Sequence, residues 1–113
     1  MRVDVRFRGL DVSAWLREHT FRQAEACLGR FERELNCVRV RIADVNGPKG
    51  GLDKACRVTV HGPRCGSFTV DELSTDPYVA VALAFERLSH SLNRQFARAR
   101  VRKTTPLLAV RAS

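Results

Sequence analysis

The sequence predicts one α+β domain, a two-layer sandwich of order β-α-β-β-β-α in which two helices cover one face of a four-stranded sheet. Three observations lead there. Apolar and polar residues alternate with period two in four short stretches. Apolar residues recur at helical spacing in two longer ones, and clusters of Gly, Pro, Asn and Asp separate these segments. At 113 residues and 44% hydrophobic content, a chain can bury roughly two thirds of its unfolded surface and needs neither metal nor disulfide to fold.

In residues 2–8, Val3, Val5 and Phe7 share one face and Arg2, Asp4, Arg6 and Arg8 the other, as in a half-buried strand. Ser13 then caps a helix that turns Leu16, Thr20, Ala24, Cys27, Phe31 and Leu35 inward. Gly29 weakens that helix by about 1 kcal/mol relative to alanine, which points to a close approach to the sheet. Trp15 in this helix and Tyr78 in the next fall where an aromatic packs on the sheet. Val38, Val40 and Ile42 form the second strand, with Arg39 and Arg41 outward, and residues 46–51 can only be loop. Cys56, Val58 and Val60 form the third strand. Gly62-Pro63 turns the chain, and residues 66–72 form the fourth with Phe68 and Val70 inward. Asp76-Pro77 opens the last helix, the aspartate as cap and the proline where its missing N–H costs nothing. Tyr78, Val81, Phe85, Leu88 and Leu92 give it one inward stripe. Fraying is expected between Arg98 and Lys103, with Pro106 forbidding simple continuation, so the domain spans residues 1–103 and residues 104–113 form a flexible tail.

Charge is distributed unevenly. The formal net charge is +8, and after Glu86 come Arg87, Arg94, Arg98, Arg100, Arg102, Lys103 and Arg111 without a carboxylate. Like charges on one helix repel, so such segregation makes sense when a polyanion completes it; nucleic acid is the expected one. Arg87, Arg94 and Arg98 lie 0, 7 and 11 residues along the helix, within about 60° of one another, with His90 beside them. A second basic surface is expected on the outer face of the sheet, from Arg2, Arg6, Arg8, Arg39, Arg41 and Arg57, relieved by Asp4 and Asp71.

Other chemistries find little support. Cys27, Cys37, Cys56 and Cys65 are spaced by 10, 19 and 9 residues, without the close ligand pairs of a zinc or redox site, and read as reduced, mostly buried small hydrophobes. His19, His61 and His90 stand on different elements with no local triad or ligand spacing, and read as solvated or half-buried. The Gly47-Pro48-Lys49-Gly50-Gly51 segment joins two strands, and Lys54 lacks a following Ser or Thr, so it does not meet the requirements of a phosphate loop. Two readings remain for it: a hairpin whose Lys49 and Lys54 reach RNA backbone, or an inert loop. The sheet lacks the aromatics for stacking single-stranded bases. The alternating, charged N-terminus is unlike a secretory leader, and the apolar stretches are too short to span a bilayer. No catalytic residue, metal or cofactor is expected, and the location expected is cytoplasmic.

Val12-Ser13-Ala14-Trp15-Leu16-Arg17-Glu18, Phe31, the VxVxI strand, Asp76-x-Tyr78 followed by Val81, Phe85, Arg87-Leu88 and Leu92, and the Asn46–Cys56 loop together resemble the ribosome hibernation promoting factor and ribosome-associated inhibitor A family over residues 1–103. The resemblance implies the same fold, docked on rRNA in the mRNA and tRNA channel of the small ribosomal subunit, where it blocks initiation and preserves idle ribosomes. No enzyme activity, small-molecule substrate or membrane association is expected, and the protein is expected to be a monomer off the ribosome. The resemblance also implies that Arg22 and Arg30 in the first helix, and Arg87, His90 and Arg94 in the second, are the basic positions that meet RNA. Gln23, Ala26 and Gly29 replace bases common in relatives, which shifts the expected contact toward the second helix and its tail, with Arg98 among the bases expected to meet RNA. Two alternatives stay open. The family is also labelled a sigma-54 modulator, so the basic face could meet an acidic protein of the transcription machinery; a thiol or metal enzyme using Cys27, Cys56 or Cys65 with a histidine is the other.

Overall fold

A computed structural model describes residues 1–11, 13–45 and 53–112, with side chains as far as residue 98. The observed order is the expected one: β1 (Arg2–Arg8), α1 (Ala14–Leu28), a 3-10 turn (Gly29–Phe31), β2 (Cys37–Asp44), β3 (Lys54–Gly62), β4 (Gly66–Ser74) and α2 (Pro77–Ala112). The strands lie side by side in the order β1-β2-β3-β4. β1 and β2 are parallel, joined through α1, and the two later pairings are antiparallel.

Alternation along the strands decides which face is covered. Val5, Val38, Val40, Ile42, Cys56, Val58, Val60 and Val70 are all buried on one face, whereas Arg6, Arg39, Arg41 and Arg57 between them are exposed on the other. Both helices therefore sit on the same side. Leu16, Ala24 and Leu28 of α1 and Val81, Ala84, Phe85, Leu88, Leu92 and Phe96 of α2 complete the core. Thr20 is fully buried without penalty because its hydroxyl donates to the Leu16 carbonyl at 2.7 Å.

The caps form as expected. The Leu16 amide donates to Ser13 Oγ at 3.2 Å, and the Tyr78 amide to Asp76 Oδ1 at 2.9 Å. Two glycines have structural reasons. Gly66 closes the β3–β4 turn at φ 66°, a left-handed conformation that side chains disfavour. A Cβ on Gly62 would overlap the Glu34 carbonyl oxygen.

Several expectations need correction. Nothing lies within 4 Å of where a Cβ on Gly29 would sit, so Gly29 marks no close approach; it ends α1 and begins the 3-10 turn that brings Phe31 and then Leu35 into the core. Trp15 does not pack on the sheet: it is 78% exposed, because it precedes Leu16 by one residue and so falls about 100° away from the buried stripe. Tyr78 is also exposed. In the first turn of α2 it meets α1 instead, its ring 5.0 Å from that of His19. Finally, α2 does not fray between Arg98 and Lys103 but continues to Ala112. Pro106 removes one N–H from that run, while Arg102 and Lys103 before the Thr104-Thr105 pair and Leu107, Leu108 and Ala109 after the proline are strong helix formers.

Candidate nucleic-acid interface

The helix layer is built from two parallel helices. His19 meets Tyr78 near their starts, and Arg30 and Phe31 meet Ser89 and Phe96 further along, so both chains run the same way. The outward side of this layer carries most of the expected basic residues.

On α2, Arg87, His90, Arg94 and Arg98 are all exposed. The first three line a groove of ≈ 650 Å³ between α2 and the edge strand β4, opposite Phe68 and Glu72. Core residues Phe85, Leu88 and Leu92 occupy the other side of the helix, and this is why the bases share an outward stripe. The ridge is not free of acid throughout, however. Arg87 Nη1 lies 3.2 Å from Glu72 Oε1 of β4, and Glu86 lines the same groove. Neutralisation comes from across the fold, which the order of charges along the chain does not reveal. Among the described residues, Arg94 and Arg98 have no acid within ion-pair distance.

The first helix contributes less free charge. Arg22 pairs with Glu18 one turn back at 2.6 Å, both well exposed. Arg30 lies against α2, its Nη2 donating to Ser89 Oγ at 2.9 Å and its guanidinium 4.9 Å from the Phe31 ring centroid. That contact places Arg30 beside the α2 ridge, while Arg22 sits toward Trp15, His19 and Tyr78 at the other end of the helix pair. Lys54 is not brought to this surface as a free cation. Its ammonium sits 2.9 Å from Asp53 and 3.0 Å from Asp44, with only 19% of the side chain exposed. Hydrogen bonds to Asp53 and then Asp44 push its pKa up. Lys49 lies outside the described residues.

The thiols are free, Cys56 and Cys65 buried and Cys27 and Cys37 half-buried. Burial raises the Cys56 pKa to about 12, with smaller contributions from Asp71 and Glu72. Burial likewise raises Cys65, and raises Cys27 together with Glu86. A nucleophilic cysteine needs the opposite shift. Among the described residues, no three His, Cys, Asp or Glu side chains are grouped to hold a metal, and no described helix is long and apolar enough to cross a membrane.

These features define a class: a basic two-layer α+β sandwich whose helix layer exposes a stripe of basic side chains. The chain belongs to the sigma 54 modulation protein / S30EA ribosomal protein family, whose profile matches residues 3–100. Membership carries a ribosome-associated role. Among solved structures, it is similar to a ribosomal subunit interface protein from Coxiella burnetii, at 23% identity and a TM-score of 0.69 over 86% of this chain and 99% of that one. It is also similar to the N-terminal domain of Protein Y from Thermus thermophilus, at 18% identity and a TM-score of 0.67 over 83% of this chain and 98% of that one. At those identities the likeness is one of fold. No curated protein matches the sequence.

Proposed function

We propose that this protein is a non-enzymatic translation inhibitor of the hibernation type, which binds rRNA in the mRNA and tRNA channel of the small ribosomal subunit. The observation that carries the reading is the outward face of α2, where Arg94 and Arg98 have no acidic partner among the described residues and Arg87, His90 and Arg30 flank them. Guanidinium groups on a rigid helix can hold phosphates in a forked geometry with little entropy lost per hydrogen bond. Such contacts fix position on folded RNA without reading bases. A domain lodged in the channel excludes mRNA and tRNA by volume alone, so it needs no catalytic group. It would act in the cytoplasm, as a monomer when off the ribosome.

The test is sedimentation of the purified protein with small subunits through sucrose gradients, at two salt concentrations, alongside an in vitro translation assay. Comigration at low salt, release at high salt and inhibition of translation are the expected results. Failure to comigrate, with capture of sigma-54 in its place, would assign the basic face to an acidic protein partner.

A further inference from the structure

The outer face of the sheet is a second basic surface that the reading above leaves unused. The strand register sets Arg6, Arg41 and Arg57 abreast, with Asp71 closing the row. The next row runs Asp4, Arg39, Thr59 and Thr69, and the one beyond it begins with Arg2. Arg6 pairs with Asp4 at 3.1 Å and Arg57 with Asp71 at 2.7 Å. Among the described residues Arg2, Arg39 and Arg41 have no such partner. These five arginines line one shallow concavity of ≈ 870 Å³.

This arrangement works against folding. Neighbouring strands are about 4.8 Å apart, and like charges directly opposite one another destabilise a sheet. A solvated strand face needs only polar side chains, so Arg41 between Arg6 and Arg57 is explained by an anion that the free protein lacks. The chemistry of the face narrows the ligand. Among the described residues its concavity holds no Phe, Tyr or Trp on which a single-stranded base could stack; the one large exposed apolar side chain of the face, Leu73, stands outside the concavity on edge strand β4, not at the centre where the anchor of a protein interface would sit. What remains is a curved field of guanidinium forks, suited to phosphates on the backbone of a duplex.

We propose that the outer face of the sheet is a second RNA site, in which Arg2, Arg39 and Arg41 hold the phosphate backbone of an A-form duplex while α2 holds another RNA segment on the opposite face. The domain then bridges two RNA helices instead of resting on one. This rests on the assignment of the α2 face to RNA, and stoichiometry separates the two.

The probe is a 12-base-pair RNA duplex, measured by native mass spectrometry and by energy transfer between donor- and acceptor-labelled duplexes. The wild-type protein should hold two duplexes. Arg2→Gln, Arg39→Gln and Arg41→Gln combined should hold one, with the salt slope of total duplex binding reduced by about 2 to 3. The corresponding lysine variant should retain both. Protection of Arg39 and Arg41 from phenylglyoxal by the duplex, read on the wild-type protein, tests the site without any substitution. A wild-type protein that binds one duplex and loses it only on α2 substitution overturns the proposal and leaves the function above standing. An α2 variant that still holds two duplexes, beside a sheet variant that holds one, supports the sheet site and refutes the α2 assignment. Displacement by polyglutamate with no duplex bound to the sheet overturns it in favour of an acidic protein.

Discussion

Neutralising Arg94 and Arg98 together isolates the charge on which the proposed function depends. Both are exposed, and neither has an acid within ion-pair distance among the described residues. Surface substitutions of this kind usually change stability by no more than about 0.5 kcal/mol. Each phosphate contact contributes about 0.9 to the slope of log affinity against log salt, taking duplex DNA as the guide. Arg94→Gln with Arg98→Gln should therefore lower the slope by about 1.8. Between 50 and 200 mM salt that corresponds to a response weaker by about tenfold. Arg87→Gln should behave differently. Glu72 already holds Arg87 at 3.2 Å, so this change should move the slope less and cost about 0.2–1 kcal/mol for the lost exposed pair. The assay is anisotropy of the labelled protein titrated with small subunits across a salt series, with urea unfolding of each variant run in parallel. A folded double variant with the wild-type slope would refute the claim that these two arginines meet phosphate.

Three other predictions concern the fold. Cys56 ionises only near pH 12 in the native protein against an ordinary 9.0. The raised pKa contributes stability that is complete below the unfolded value and declines as pH rises toward 12, by up to about 1.4 kcal/mol per pH unit; urea unfolding at pH 8, 9.5 and 11 measures the decline, and a flat profile would contradict the burial. Gly62→Ala should destabilise by about 1–3 kcal/mol, because its Cβ meets the Glu34 carbonyl oxygen; an unchanged urea midpoint would mean that the loop before β2 yields freely. Trp15 is the single tryptophan and is 78% exposed, so native fluorescence should be quenched by iodide nearly as well as that of the unfolded chain, and Trp15→Ala should shift stability by less than about 0.5 kcal/mol.

Periodicity, caps and charge order were enough to read the elements, the sheet's buried face and the arginine face from the amino-acid sequence, because each of those is a local pattern. Alternation in Val38–Ile42 and Cys56–Val60 specifies which side of each strand is buried whatever its neighbours are. Asp76-Pro77 starts α2 through a cap made within one turn. The segregation of bases after Glu86 is likewise written in one dimension. Partners distant in the chain were decided only by the tertiary structure. Glu72 reaches Arg87 because β4 packs beside α2, and Arg30 reaches Ser89 because the two helices run parallel. Lys54 is withdrawn between Asp44 and Asp53 where β2 and β3 pair, and Trp15 faces solvent because Leu16, one residue on, took the inward position. A cation's freedom to bind an anion depends on every carboxylate within a few ångströms. That distance is set by packing, and spacing along the chain cannot report it.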